Sequence, residues 1–146
     1  SNSPNVFTPR WFLEGMAKVM GLALEELGPI AFEAQAPASI VKTCTVLAQF
    51  DVLCLLTDGQ SKADVAAGIA RAMAERIAKM SKRIGIRTQA AMTGGVAKNQ
   101  AVVQSLQEVL NVTFTPLDQV DPQIIGALGA ALFARERWER EQSRRG

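Results

Sequence analysis

The chain has no histidine and no tyrosine among its 146 residues, and it has only two cysteines, Cys44 and Cys54. The missing histidine excludes imidazole acid–base catalysis, serine or cysteine triads of the usual form, and histidine-ligated zinc within this sequence. The cysteines form no CxxC motif. If both lay on one helix, their spacing in sequence would separate them by roughly 15 Å along its axis, which argues against a disulfide.

Excess charge of one sign and long apolar runs are also missing. A formal net charge of +2 is too small for a nucleic-acid footprint, and the charge run over 135–145 mixes arginine with glutamate, as solvated helix ends do. No apolar run has the length of a membrane span, and the first residues do not resemble a signal peptide. The composition, 48% hydrophobic and 21% charged, predicts one globular, cytoplasmic domain that binds neither nucleic acid nor membrane.

Hydrophobic spacing and capping residues predict a helical first half. We expect a first helix from about Thr8 and Pro9 to about Gly28 and Pro29, so that 1–28 forms an N-terminal helical segment. An irregular segment then leads through an extended stretch at 43–46 into a short helix over 47–56, closed by Asp58 and Gly59. Ser61 and Asp64 cap a long helix that runs to about Arg83.

The second half predicts strands that alternate with helices. A buried strand is expected over 86–92, a helix over 96–110, a second strand over 112–115 and a final helix from Asp121 and Pro122. Strand, helix, strand, helix in this order predicts parallel strands with right-handed crossovers. The sequence therefore predicts a single α/β domain over 1–146. Because it enters a helical pattern without a starting methionine, we expect it to be the C-terminal piece of a longer protein.

The most informative run is TQAAMTGGVAKN at 88–99, in which two glycines separate the first predicted strand from the next helix. Glycine lacks the Cβ that keeps a ligand away from the backbone, and the first amides of a helix have no intrahelical partners. Such a turn can hold the phosphates or ribose of a nucleotide. A plain structural turn explains the same glycines, because glycine is the usual residue for awkward backbone angles.

The final predicted helix has small residues over 126–132, where bulky side chains would normally fill a core. Small side chains let two backbones approach closely, which favours tight packing of this helix on a sheet. They would also make a smooth wall for a nucleotide pocket. The two interpretations are compatible.

Three segments occur in order along the chain: CTVLA at 44–48, TGGVAKN at 93–99 and PQIIGALGAA at 122–131. Together they resemble the ATPase family of 2-hydroxyacyl-CoA dehydratase activators and of the ATP-hydrolysing subunits of benzoyl-CoA reductase. The resemblance implies an actin-like (ribonuclease-H-like) ATPase fold, of which this chain would be the C-terminal half. It also implies a dimer, with itself or with a related subunit, that uses ATP hydrolysis to send a low-potential electron to a CoA-ester reductase or dehydratase component.

The resemblance also implies a site for ATP or ADP with Mg²⁺ in the full-length protein. Its nucleotide contacts would come from the glycine turn and from the start of the last helix, at Thr93, Gly94, Gly95, Val96, Lys98 and Gln123. By analogy with actin-like ATPases, Glu75 and Lys79 would approach the adenine side. An exposed helical ion pair between these two side chains is the alternative interpretation.

By the same resemblance, Cys44 would be a ligand of a [4Fe-4S] cluster held between two subunits. Such a role would place Cys44 near the end of an element, with an accessible sulfur at a subunit interface. When the chain is aligned on its FLE run at 12–14, however, another family cluster cysteine falls on Asn5. An amide cannot replace a thiolate, so two chains that share only Cys44 would supply two of the four sulfurs that such a cluster needs.

The sequence also has no Asp-x-Gly-Ser/Thr phosphate loop, so we do not expect this piece to hydrolyse ATP alone. A non-redox small-molecule kinase and an ATP-binding interaction domain of the same fold are the alternative functions.

Overall fold

The computed structural model describes residues 9–42, 44–82, 85–86, 89–117 and 119–145. Helices dominate these residues: α1 (Pro9–Met20), α2 (Leu27–Ala31), α3 (Thr45–Thr57), α4 (Lys62–Ser81), α5 (Gln100–Leu110) and α6 (Ile125–Arg145). Short 3₁₀ turns at Leu24–Glu26 and Gly95–Lys98 precede α2 and α5. The described residues contain one isolated β-bridge, which is parallel and joins Ala90 to Phe114.

The predicted α/β layer is therefore present only in part. The Ala90 carbonyl accepts a 2.8 Å hydrogen bond from the Thr115 amide, and the parallel sense agrees with the prediction. The amide of Phe114, however, donates to Gln107 Oε1 at 2.8 Å. Among the described residues, the pairing does not extend beyond this single bridge. The prediction of a buried strand over 86–92 is therefore wrong, since Ala90 forms a single bridge among the described residues of this stretch. Residues 83–84 and 87–88 lie outside the described ranges.

Several helix boundaries differ from the prediction for local reasons. The first helix begins at Pro9 as expected, but it ends at Met20, because Gly21 turns the chain with a φ of 65°. Thr8 lies outside the described residues. The stretch expected to be extended before the third helix is partly helical, since α3 already begins at Thr45. The helix expected over 96–110 is split at Asn99, whose Oδ1 accepts the Val102 amide at 3.1 Å and caps α5.

The core is built around α4. Its predicted cap is confirmed, because the Asp64 amide donates to Ser61 Oγ at 3.0 Å. Helices α1, α2, α3 and α5 all contact α4. Six of the nine buried residues on α4 are alanine or glycine, namely Ala66, Gly68, Ala70, Ala72, Ala74 and Ala78, and the other three are Val65, Ile69 and Met73. Small side chains on this helix let the neighbouring elements pack closely on it.

A segment over 35–40 crosses α4 and is fastened to it by Asp64. One carboxylate oxygen, Asp64 Oδ1, accepts the amides of Gln35 at 2.9 Å and Ala36 at 2.8 Å. The Ala38 amide donates to the backbone carbonyl of Asp64 at 2.9 Å. One turn later, Gly68 leaves room for the Ala38 carbonyl, which would lie 2.3 Å from a Cβ at that position.

The last helix, α6, projects from this core. None of its described side chains is buried, and Gly126 and Gly129 would have open space around a Cβ. Packing of α6 on a sheet is therefore absent from the described part of the chain. Large apolar side chains are also exposed on α3, namely Val46, Leu47, Phe50 and Leu53. Within the described ranges, no helix is both long and apolar enough to cross a membrane.

The close approach at Gly68 predicts a large effect of adding one methyl group. We expect Gly68→Ala to lower the free energy of unfolding by about 1–3 kcal/mol, because the new Cβ overlaps a backbone carbonyl that cannot rotate away. Gly129→Ala is the matched control on an exposed helix, and it should be neutral or stabilising by up to ~1 kcal/mol. Urea unfolding followed by circular dichroism measures both. Equal stabilities for the two variants would contradict the close approach.

The carboxylate of Asp64 predicts a dependence of stability on pH. Hydrogen bonds from the Ala36 amide, then from the Ser61 hydroxyl and the Gln35 amide, lower the pKa of Asp64 in the folded chain. Its stabilisation is therefore complete above the ordinary aspartate pKa of about 3.9 and is lost as the pH falls through the lowered folded value. We expect Asp64→Asn to make the unfolding temperature fall less steeply with acidification than in the wild type. The exposed Asp58→Asn should keep the wild-type slope, and an unchanged slope in Asp64→Asn would refute the assignment.

Candidate functional site

A cavity of about 590 Å³ opens where the N-terminal helices meet the glycine turn. One wall comes from residues 10–32, with Arg10, Leu13, Leu24, Glu25, Gly28, Pro29 and Phe32. The other wall comes from the 3₁₀ turn, the start of α5 and the approach to α6, with Gly95, Val96, Lys98, Asn99, Gln100 and Gln123. The cavity thus combines apolar surface with cations and amides, as small-molecule sites do.

The two glycines of the turn differ in what they require. Gly94 has a φ of 94°, which side-chain-bearing residues rarely adopt, so the backbone itself explains that glycine. Gly95 is not among the glycines with positive φ, and a Cβ there would meet nothing closer than Gln123 Cδ at 3.9 Å. Neither backbone angle nor packing inside the described chain requires glycine at position 95. Gly95 does line the cavity, where a missing Cβ would leave room for a ligand.

The second wall is held together by the residues just before α6. Lys98 Nζ lies 2.7 Å from Asp121 Oδ2, and the Gln123 amide donates to Asp121 Oδ1 at 2.9 Å. The bond from Lys98, followed by that from Gln123, lowers the pKa of Asp121. The Gly94 amide donates to the Pro122 carbonyl at 2.7 Å. The glycine turn and the chain before α6 therefore form one connected wall.

The first wall carries no motif that predicts it. Arg10 pairs with Glu14 at 2.6 Å across one turn of α1, and this bond raises the pKa of Arg10. At Gly28 a Cβ would lie 3.3 Å from Asn99 Oδ1, so glycine lets α2 approach the capped start of α5. Phe32, at 55% exposure, presents an aromatic face at the cavity. The FLE run at 12–14 and the pair Gly28–Pro29 are sequence signals near this wall, but neither predicts a cavity.

The structure brings together four of the predicted nucleotide contacts, Gly95, Val96, Lys98 and Gln123, on the cavity wall. Thr93 and Gly94 precede them in the chain and do not line it. Glu75 and Lys79 do not line it either. Glu75 forms ion pairs with Lys42 and, at 3.3 Å, with Arg71, and the bond from Lys42 lowers its pKa.

Cys44 stands apart from the cavity, at the N-cap of α3, with an exposed thiol. The first amides of that helix, those of Leu47 and then Val46, lower the pKa of the thiol, and Arg76 acts in the same direction. A lowered pKa favours the thiolate, which is the form that binds metals. Its expected position at the end of an element, with an accessible sulfur, is confirmed. Asn5 lies outside the described residues, and the residues inside them form no group of three or more metal-ligating side chains.

Comparison with known proteins agrees with this architecture. Residues 11–134 match the BadF/BadG/BcrA/BcrD ATPase family. The chain is 39% identical over 123 residues to the 2-hydroxyisocaproyl-CoA dehydratase activator of Clostridioides difficile, covering 84% of this chain and 46% of the relative. It is 38% identical over 125 residues to the (R)-2-hydroxyglutaryl-CoA dehydratase activating ATPase of Acidaminococcus fermentans, covering 84% and 46% respectively. Another relative, at 32% identity over 133 residues, belongs to the benzoyl-CoA reductase of Thauera aromatica, with 88% of this chain and 47% of the relative covered.

A solved structure shows the same fold. The activator of the 2-hydroxyisocaproyl-CoA dehydratase from Clostridium difficile, with bound ADPNP, superposes with a TM-score of 0.83 at 36% identity. The match covers 92% of this chain and 49% of that one, so the chain spans about half the length of the relatives it matches. By sequence and by fold, the chain belongs to the BadF/BadG/BcrA/BcrD ATPase family.

Proposed function

We propose that the cavity forms part of an ATP site. The whole protein would activate a CoA-ester dehydratase or reductase by hydrolysing ATP. The observation that carries the proposal is Gly95, which lines the cavity although neither its backbone angle nor its packing requires glycine. A relative of the same fold, a dehydratase activator, has been solved with bound ADPNP. The proposed whole has an actin-like ATPase fold, of which this chain supplies the C-terminal half.

Both walls supply groups that suit a nucleotide. Lys98 and Arg10 supply cations, which suit phosphate oxygens, and the missing Cβ of Gly95 admits a ligand close to the backbone. The apolar side chains of Leu24 and Phe32, which line the cavity, suit an aromatic base. A Mg²⁺ ion bound with ATP would neutralise phosphate charge. Thr93 and Gly94 would hold the glycine turn in place without lining the cavity. We do not place Glu75 or Lys79 at the nucleotide.

For the electron-transferring part of the role, Cys44 is the residue that would ligate iron. Its exposed thiol with a lowered pKa fits a single ligand position. A [4Fe-4S] cluster normally takes four thiolates, whereas two copies that share only Cys44 supply two. The donor set therefore falls short of the cluster. The shortfall favours, as a second candidate, a non-redox kinase or an interaction domain of the same fold.

We further propose that the full protein forms a dimer, with a second copy or with a related subunit, and meets a CoA-ester enzyme component. The support is the apolar face of α3, where Val46 and Phe50 are 69% and 65% exposed. Exposed apolar patches of this kind mark interaction surfaces. Cys44 lies at the start of the same helix, so it would be close to such an interface.

The ATP site predicts the effect of adding bulk at position 95. We expect Gly95→Val to weaken ADP binding to the full-length protein by more than about tenfold, because the side chain fills the space for the ligand. Ala97→Val adds bulk in the same turn, away from the cavity lining, and should bind ADP like the wild type. Isothermal calorimetry measures the affinity and circular dichroism checks the fold. ADP binding by a folded Gly95→Val at wild-type strength would place the site elsewhere.

The role of Cys44 predicts a loss of iron. Whatever iron and acid-labile sulfide the full-length protein retains after anaerobic purification should be lower in Cys44→Ser than in the wild type, because a serine hydroxyl is a poor iron ligand. Cys54→Ser, in the same helix, should retain the wild-type content. Equal iron in wild type and Cys44→Ser would remove Cys44 as a ligand and favour the non-redox candidate.

A further inference from the structure

We propose that Asp121 is the positioning residue of the nucleotide cavity, and that it acts on the ligand through Lys98 and Gln123. Asp121 does not itself line the cavity, whereas Lys98 and Gln123 both do. The inference rests on the proposed ATP site and adds to it the residue that orients one of its walls.

The geometry assigns one carboxylate oxygen to each of the two residues. Asp121 Oδ2 accepts from Lys98 Nζ at 2.7 Å, and Asp121 Oδ1 accepts from the backbone amide of Gln123 at 2.9 Å. Lys98 belongs to the 3₁₀ turn after the glycines, and Gln123 belongs to the chain just before α6. One side chain therefore sets the relative position of two cavity-lining residues that are distant in sequence.

Backbone bonds make the residues over 121–124 a rigid support for this carboxylate. The Pro122 carbonyl accepts the Gly94 amide at 2.7 Å, and the Ile124 amide donates to the Asp121 carbonyl at 3.0 Å. The first bond ties residues 121–124 to the glycine turn, and the second closes a tight turn within residues 121–124 themselves. The carboxylate is thus held at a defined distance from the 3₁₀ turn that carries Lys98.

The ion pair between Lys98 and Asp121 is too exposed to act mainly by stabilising the fold. The side chains of Lys98 and Asp121 are 49% and 44% exposed, and ion pairs this exposed contribute little to folding. An ammonium group has three donors, of which Asp121 uses one, so two remain for phosphate oxygens. A lysine without this anchor samples many rotamers and must be ordered when the ligand binds. Loss of Asp121 should therefore lower the affinity for the ligand more than it lowers the stability of the fold.

The test measures ADP binding to the full-length protein by calorimetry. We expect Asp121→Ala to raise the Kd about tenfold, and Asp121→Asn to restore part of the loss, because the amide oxygen still accepts the Gln123 amide. Lys98→Ala combined with Asp121→Ala should bind ADP only slightly more weakly than Lys98→Ala alone, since Lys98 carries most of the effect of Asp121 and Gln123 carries the remainder. Asp58→Ala, an exposed acidic residue on another turn, is the control and should leave the Kd unchanged.

A charge effect alone would give the opposite result. If Asp121 merely neutralises Lys98, its removal frees a cation, so Asp121→Ala would bind ADP more tightly than the wild type. Tighter or unchanged binding overturns the positioning role while the ATP site stands. Failure of the wild type to bind ADP overturns both.

Amide hydrogen exchange tests the bond between the Gln123 amide and Asp121 without any ligand. In Asp121→Ala the Gln123 amide should exchange faster than in the wild type, whereas Asp121→Asn should keep much of its protection. The unfolding temperature of both variants should stay close to that of the wild type. Unchanged exchange at Gln123 in Asp121→Ala overturns the inference whatever the ADP affinity.

Discussion

The fold depends on how closely other segments approach α4. Its buried surface consists largely of alanine and glycine, which keeps the distance between backbones short. At Gly68 that distance has no room for one more carbon atom, because the carbonyl of Ala38 occupies the place of a Cβ. Asp64, one turn earlier, binds the amides of the same crossing segment. Steric fit and hydrogen bonding thus act on neighbouring turns of one helix.

This close packing also shapes the cavity. Both α2 and α5 rest on α4, so they meet beside it, and Gly28 lets them come together at the capping side chain of Asn99. The cavity occupies the space left at that junction, next to the glycine turn. Its two walls come from distant parts of the sequence, and the common contact with α4 places them opposite each other. The site is therefore a product of helix packing as well as of a motif.

Structural features that depend on a few neighbouring residues can be predicted from the sequence, whereas features that depend on distant partners cannot. The Ser61 cap and the turn at Gly94 follow from local backbone chemistry. The strand predicted around Ala90 shrinks to one bridge, because strand formation depends on neighbours that the described chain supplies only there. The pairing of Glu75 with Lys42 joins residues far apart in sequence, and helical spacing alone predicts Lys79 as its partner. The contribution of Phe32 to the cavity has no motif to reveal it.

The exposed helix α6 has a mechanical consequence. It has 21 residues, which corresponds to a rod of about 31 Å, and none of its described side chains is buried. A rod that is attached at its base amplifies small rotations, so a change of about 10° at Ile125 would displace its far end by roughly 5 Å. Its second half is stiffened by ion pairs one turn apart, such as Arg137 with Glu141 at 3.1 Å. Sub-ångström adjustments beside the cavity would thereby become displacements of several ångströms at the far end of α6.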